Sequence, residues 1–370
     1  RRLVRRASVI GRIFSKRVLE CVIPGDVNVE RGLALLESYS LIVQERALPD
    51  VEYAFRHVLV QEAIYASIPI WRRTELHGEV AKAIEALNEI DTDEHCEQLA
   101  FHYAQSANDE RAVHYLLMAG YLARSVYLND EAVRYYLRAQ ERLDQAMSHN
   151  ADLDGEATWT RVARIQVQIG LGQVYHVVGK DQRAARHFRR ALAMQQEIDT
   201  PLSESVRLLC WLGDVLLWQG KLEEVIDIGT QGVEMLAGDR QSIEAALMYQ
   251  TVAMAAKIRG NYSRFWTYTE MTARFVRDLP YVEELMAAYV QIGEMHHDRG
   301  DASEAFRWAE ETDIVAKQHS DLRLSAGASY NRGCLHADMG RYECAIDHLR
   351  QAIEIYARAG DENQKRVSVF

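Results

Sequence analysis

The stretch Leu171-Gly172-Gln173-Val174-Tyr175-His176-Val177-Val178-Gly179-Lys180-Asp181-Gln182-Arg183-Ala184 decides the fold. Apolar and small residues recur at helical spacing up to Gly179, and the pattern resumes beyond it through Ala184, Phe188 and Ala191. This is a helix that ends near a glycine, a tight turn in which glycine tolerates positive φ, and a second helix running back. The pattern repeats. Gly179, Gly220, Gly260, Gly300 and Gly340 are separated by 41, 40, 40 and 40 residues. Seven residues before each glycine stands a small residue (Gly172, Gly213, Ala253, Gly293, Gly333), and twelve after it another set (Ala191, Gly232, Thr272, Thr312, Ala352). Five after it comes an apolar one: Ala184, Val225, Phe265, Ala305 or Ala345. One hairpin cannot bury its own apolar face, so such units are expected to stack on their neighbours.

Leu171-Gly172, Tyr175, Gly179, Ala184, Phe188 and Ala191 resemble a tetratricopeptide repeat almost position for position, and Gly333, Gly340, Tyr342, Ala345 and Ala352 nearly as well. The middle units depart from it at Gly229, Gly232 and Phe265, and the period of 40 rather than 34 implies helices about one turn longer. The predicted class is all-α. It is a right-handed superhelix of antiparallel helix pairs over residues 157–370, preceded by a small winged-helix-like domain with a β-hairpin. Upstream of it, Tyr103, Ala107, Ala112, Leu116 and Ala119, then Gly120, Ala123, Tyr127, Ala132, Tyr136 and Ala139, read as two shorter hairpins within residues 91–147. The polar run Ser148-His149-Asn150-Ala151-Asp152-Leu153-Asp154-Gly155 marks a loop at 148–156.

Within residues 1–90, Ser15 is a good N-cap for a helix carrying Val18, Leu19, Val22 and Ile23, which Pro24-Gly25-Asp26 ends. Another amphipathic helix is expected from about Val29 through Tyr39. Leu41-Ile42-Val43-Gln44-Glu45 and Val51-Glu52-Tyr53-Ala54-Phe55-Arg56-His57 then flank a turn at Pro49-Asp50, a β-hairpin. Helices followed by a hairpin form a winged-helix pattern.

Phe55-Arg56-His57-Val58-Leu59-Val60-Gln61-Glu62-Ala63-Ile64-Tyr65, followed by Arg72-Arg73-Thr74-Glu75-Leu76-His77, resembles the region after the ATPase core in bacterial signal-transduction ATPases with numerous domains (STAND), in the branch of adenylate-cyclase-linked regulators and large transcriptional activators. The resemblance covers nearly the whole chain. It implies a P-loop module upstream in cis, binding ATP or ADP. No G-x-x-x-x-G-K-[ST] occurs within these residues; Gly179-Lys180-Asp181 and Gly220-Lys221-Leu222 are repeat turns. The chain begins with Arg1 and stops at Phe370 where another helix starts, so it reads as a segment of a longer protein. No cofactor and no catalysis are expected of the segment itself. In related switch ATPases a Met-His-Asp histidine approaches the β-phosphate. His57 matches it, with Arg56 beside it, although both flanking positions differ; the alternative is a structural histidine ending the wing strand.

Composition bounds the rest. A net charge of −11 argues against a general nucleic-acid binder. The acid-free run with Arg1, Arg2, Arg5, Arg6, Arg12, Lys16 and Arg17 reads either as a solvated helix face or as a contact for phosphates. Five scattered cysteines without a C-x-x-C suggest neither disulfides nor zinc, and a cytoplasmic location away from membranes is expected. His95, Cys96 and His102 offer two ligands on one helix face and no third, and the adjacent His296 and His297 cannot chelate together.

The functional surface expected instead is the superhelix groove, lined by the first helix of each pair. Its candidates are Gln173 and His176, Asp214 and Trp218, Met254 and Lys257, Glu294 with His297 and Asp298, and Tyr330 with Asp338. Aromatic anchors amid mixed charge suit a protein or peptide partner; the bland reading is that these residues solvate the array. Trp218 either meets a partner or packs under the next unit. Three functions remain open at this point: a sensor arm of a signalling ATPase, a stand-alone scaffold, and a DNA-reading winged helix.

Overall fold

The computed structural model describes all residues except 26, 48–49, 88–93, 150–157, 199, 237, 239–240 and 368–370. Packing divides it into two units, Arg1–Leu122 with Arg134–Ala163, and Ala123–Val133 with Arg164–Phe370.

The first unit opens with α1 (Arg2–Ile10), β1 (Ile13–Ser15), α2 (Lys16–Val22), α3 (Val29–Ser38), β2 (Ile42–Arg46) and β3 (Glu52–Phe55). Ser15 and Asn28 cap α2 and α3, each side-chain oxygen accepting from the amide three residues on. The expected hairpin is β2–β3. A third strand, β1, joins it antiparallel in the order β1-β3-β2, with Ile13 opposite Ala54 and Ile42 opposite Phe55. Three residues pairing with a strand forty positions away carry too little local pattern to be foreseen. Phe14, Phe55, Leu19, Leu33 and Ile42 form the core beneath the sheet.

Helices α4 (Val58–Ala66), α5 (Ile70–Leu87), α6 (Cys96–Ala104), α7 (Asp109–Ser125) and α8 (Asn129–His149) follow. The stretch read as two hairpins is therefore three helices. Ser148 and His149 close α8 instead of opening a loop, and the rest of that expected loop lies outside the described residues apart from its flanks. Three members of the basic run pair with carboxylates of the chain. Arg6 is buried against the Val22 carbonyl and Glu79, Lys16 pairs with Glu30 and Glu20, and Arg17 pairs with Asp50. Arg1, Arg2, Arg5, Arg12 and Arg17 are exposed, as a solvated face requires, and Arg6 alone turns inward with Leu3, Ala7, Ser8 and Val9 of α1.

The second unit is a superhelix of antiparallel pairs: α9 (Thr158–Val177) with α10 (Asp181–Gln195), α11 (Leu202–Trp218) with α12 (Leu222–Met235), α13 (Ile243–Ile258) with α14 (Tyr262–Ala273), α15 (Met286–Asp298) with α16 (Ala302–Gln318), and α17 (Leu322–Asp338) with α18 (Tyr342–Ala359), then α19 (Glu362–Val367). All five turn glycines have φ between 71° and 78°, so the spacing located five real turns. The small residues are small because partners leave no room: a Cβ on Gly172 would lie 2.5 Å from Phe188. The residues five after each glycine are buried in every unit.

The longer period is only partly longer helices. Helices α16, α17 and α18 have 17, 17 and 18 residues, whereas α14 and α15 have 12 and 13. Between those two, the added length forms 3-10 turns at Val276–Asp278 and Glu283–Leu285.

Two further contacts shape this unit. Its segment Ala123–Val133 places Arg124 on Glu283, the Tyr127 hydroxyl 3.4 Å from Asp321 Oδ1 and Asn129 on the Ala359 carbonyl. At the far end, Asn363 on α19 donates to the His176 carbonyl and to Asp181, both at 3.1 Å, so the last helix meets the turn of the first pair.

Candidate partner-binding groove

Four consecutive first helices present the same face to one cavity of about 470 Å³. Cys210, Gln250, Val290 and Tyr330 line it at intervals of 40, and Asp214, Met254 and Glu294 line it one helical turn later. The repeat period thus turns a line of equivalent positions into one concave wall, the geometry repeat arrays use for binding.

Seven of the expected groove residues line this cavity: His176, Asp214, Trp218, Met254, Lys257, Glu294 and Tyr330. Trp218 remains 37% exposed, so it faces the groove rather than packing under the next unit. Met254 is partly buried beside it. Gln173, His297, Asp298 and Asp338 lie outside. His297 Nε2 and Asp338 Oδ2 pair with each other at 2.6 Å, and Asp298 supports the wall from behind through Lys257. His176 lines the cavity yet is only 5% exposed, its Nδ1 held by Asp181 at 2.8 Å. It is a wall residue, not a solvated one.

The electrostatics are uneven. Lys257 bridges Glu294 at 2.8 Å and Asp298 at 3.1 Å, which hold its pKa above the ordinary value against the opposing effect of burial. Arg323 at the start of α17 pairs with the buried Asp361 at 2.7 Å. Glu283 holds Arg124. By contrast, Asp214 and Glu284 make no hydrogen bond or ion pair with any described residue. Desolvation pushes the Asp214 carboxyl up to about 6, the attraction of His176 and Arg323 being too weak to offset it. Burial also drives the Cys210 thiol well up, and the nearby charges of Asp214 and Glu284 add to the effect.

Sequence reasoning missed Cys210, Trp211, Gln250, Gln291 and Tyr356, and the paired ions Glu283 and Arg323. Cys210 and Gln250 were within reach, because they sit four residues before Asp214 and Met254 and so share their helix face. Glu283 and Arg323 were not, since a 3-10 turn and a helix start fall outside the repeat.

His57 lies where β3 passes into α4, exposed and without a side-chain capping bond, so it does not pack as a structural histidine. Arg56 beside it is exposed too. Helix α4, although apolar in sequence, buries none of its residues below the surface, and Leu59, Ile70 and Trp71 are strongly exposed. The Nδ1 of His102 lies 2.9 Å from His77 Nδ1, and the His77 Nε2 meets the Tyr65 hydroxyl at 3.0 Å. Burial lowers the pKa of His77 to about 4 and of His102 to about 3. Among the described residues no three His, Cys, Asp or Glu are placed to hold a metal ion, and no helix is long and apolar enough to cross a membrane.

Residues 326–358 match the tetratricopeptide repeat family model. No curated protein matches the sequence. A Rap protein complexed with Competence and Sporulation Factor is similar in structure (TM-score 0.53, 13% identity, 81% of this chain and 80% of that one). So is the Rap conjugation gene regulator of plasmid pLS20 in complex with the Phr* peptide (TM-score 0.52, 12% identity, 80% and 92%). A STAND protein with a tetratricopeptide repeat sensor from Pyrococcus horikoshii aligns over 99% of this chain and 65% of its own (TM-score 0.45, 15% identity). At such identities the likeness shows the fold alone. The array has the fold of a tetratricopeptide-type helical repeat.

Proposed function

We propose that this chain is the sensing and regulatory segment of a larger signalling ATPase of the STAND type. The concave wall of the array binds a protein or peptide partner, and the first unit passes the state of the array to a nucleotide-binding domain upstream. The observation that carries the binding half is the continuous lining of one cavity by equivalent positions of α11, α13, α15 and α17. Rap proteins with this fold, one of them solved with the Phr* peptide, support a peptide as guest.

The coupling half rests on the resemblance around Phe55-Arg56-His57 and on a three-stranded sheet, β1-β3-β2, interleaved with three short helices, which suits a winged helix. The exposed His57, Arg56, Leu59 and Trp71 leave that surface available to a neighbouring domain. A DNA-reading role is less favoured, because Arg6 is buried and Lys16 and Arg17 already pair with the surface carboxylates of Glu30 and Asp50. In the full-length protein, His57→Ala should speed release of a fluorescent ADP analogue, and Trp218→Ala should abolish the effect of partner binding on that release. Unchanged ADP release in His57→Ala would reject the coupling, and a full-length gene without a P-loop would leave a scaffold.

A further inference from the structure

The cavity's ionic groups pair off incompletely, and the remainder has a definite chemistry. Lys257, Arg323 and Glu283 have partners, whereas the Asp214 and Glu284 carboxylates have none among the described residues. A third group shares their condition. Gln250, which lines the same cavity, is 3% exposed, and its buried Oε1 has no hydrogen-bond partner. All three are acceptors. A buried acceptor left unpaired is costly, so the missing complement is a donor-rich, positively charged group.

Helix geometry supplies the rest. Trp211, Asp214 and Trp218 stand at i, i+3 and i+7 on α11 and therefore share one face, which places an indole on either side of the carboxylate along the helix. Both indoles line the cavity. Aromatic faces around a carboxylate favour a cation, and a planar guanidinium with several N–H donors most of all. The unit already accommodates one such group at the edge of the cavity, where Arg124 pairs with Glu283.

We propose that the cavity is a receptor for one basic side chain of its guest, a guanidinium or ammonium group seated on Asp214 with Glu284 and the Gln250 Oε1 as further acceptors and Trp211 and Trp218 alongside. This rests on the reading that the groove binds a partner, and names what it recognises. The source is a peptide side chain; a free amine would offer the same head group.

The test is calorimetric titration of the 370-residue chain with acetyl-Ala-Ala-Arg-Ala-Ala-amide, its citrulline counterpart, and spermidine. Citrulline keeps the shape and removes the charge, so it should bind roughly tenfold more weakly or worse. Asp214→Asn should erase the preference for arginine while the chain still melts cooperatively, and Glu284→Gln should reduce it in case the first variant misfolds. Spermidine matching the arginine peptide would identify the source as a free amine and overturn the peptide assignment. Equal binding of the two peptides would overturn the charge assignment and leave the groove standing. Binding of no peptide and no amine would overturn both.

Discussion

At the scale of single residues, Asp214 is held in a form that disfavors its charge. Burial pushes its folded pKa to about 6, above the ordinary aspartate value, and outweighs His176 and Arg323, which draw it down. A raised carboxyl pKa favours the native state where the group is protonated, and that contribution is lost as pH rises through about 6. Asp214→Asn should therefore gain on the order of 1–3 kcal/mol over the parent at pH 7.5 and gain little near pH 4, read from urea midpoints at both values. A variant equally stable as the parent at pH 7.5 would show that Asp214 is solvated. This residue was legible in the sequence only as a groove position; its unpaired state depends on which neighbours carry partners, and spacing does not report that. Trp218 is the opposite case, since a bulky residue at the end of a first helix can face only the groove or the next unit, and its exposure decided between them.

At the scale of elements, the small residues of the repeat are the most informative letters. Gly172 marks the point where α9 crosses α10 closely enough that Phe188 fills the space of a side chain. Gly172→Ala should cost about 1–3 kcal/mol through overpacking, measured by thermal melting, although alanine is the better helix former. If melting rose instead, the two helices would have to stand further apart than described. Helix ends and hairpins were readable because glycine turns and 3.6-residue periodicity are local. The 3-10 turns at Val276–Asp278 and Glu283–Leu285 were not, because a repeat pattern registers their length and says nothing of their form. Strand β1 escaped for a related reason, being too short to show alternation before its partner is known.

At the scale of the second unit as a whole, the bond between α19 and the first turn changes how the array should behave. A linear repeat stack has only neighbour contacts and tends to unfold piecemeal. Here Asn363 and Asp181 are joined across 182 residues, while Arg323 and Asp361 tie α17 to the loop before α19. Asn363→Ala should broaden the thermal transition and lower its midpoint modestly, by about 1 kcal/mol for one lost hydrogen-bonding group. A transition as sharp as the parent's would assign the cooperativity to neighbour packing alone. None of this was visible in the sequence, because curvature accumulates over five pairs and no local pattern encodes where it brings the ends.

The Asn363 contact has a kinetic side. Contacts between residues so far apart in sequence carry a loop-closure cost that slows their formation, and elements at a chain's end open more readily than a core. The contact adjoins the cavity, which Gln364 and His176 both line, so opening it would loosen that part of the wall. Residence time of a guest would then be governed by how often this clasp breathes, and affinity by the wall beneath it, so the two could be tuned by different residues.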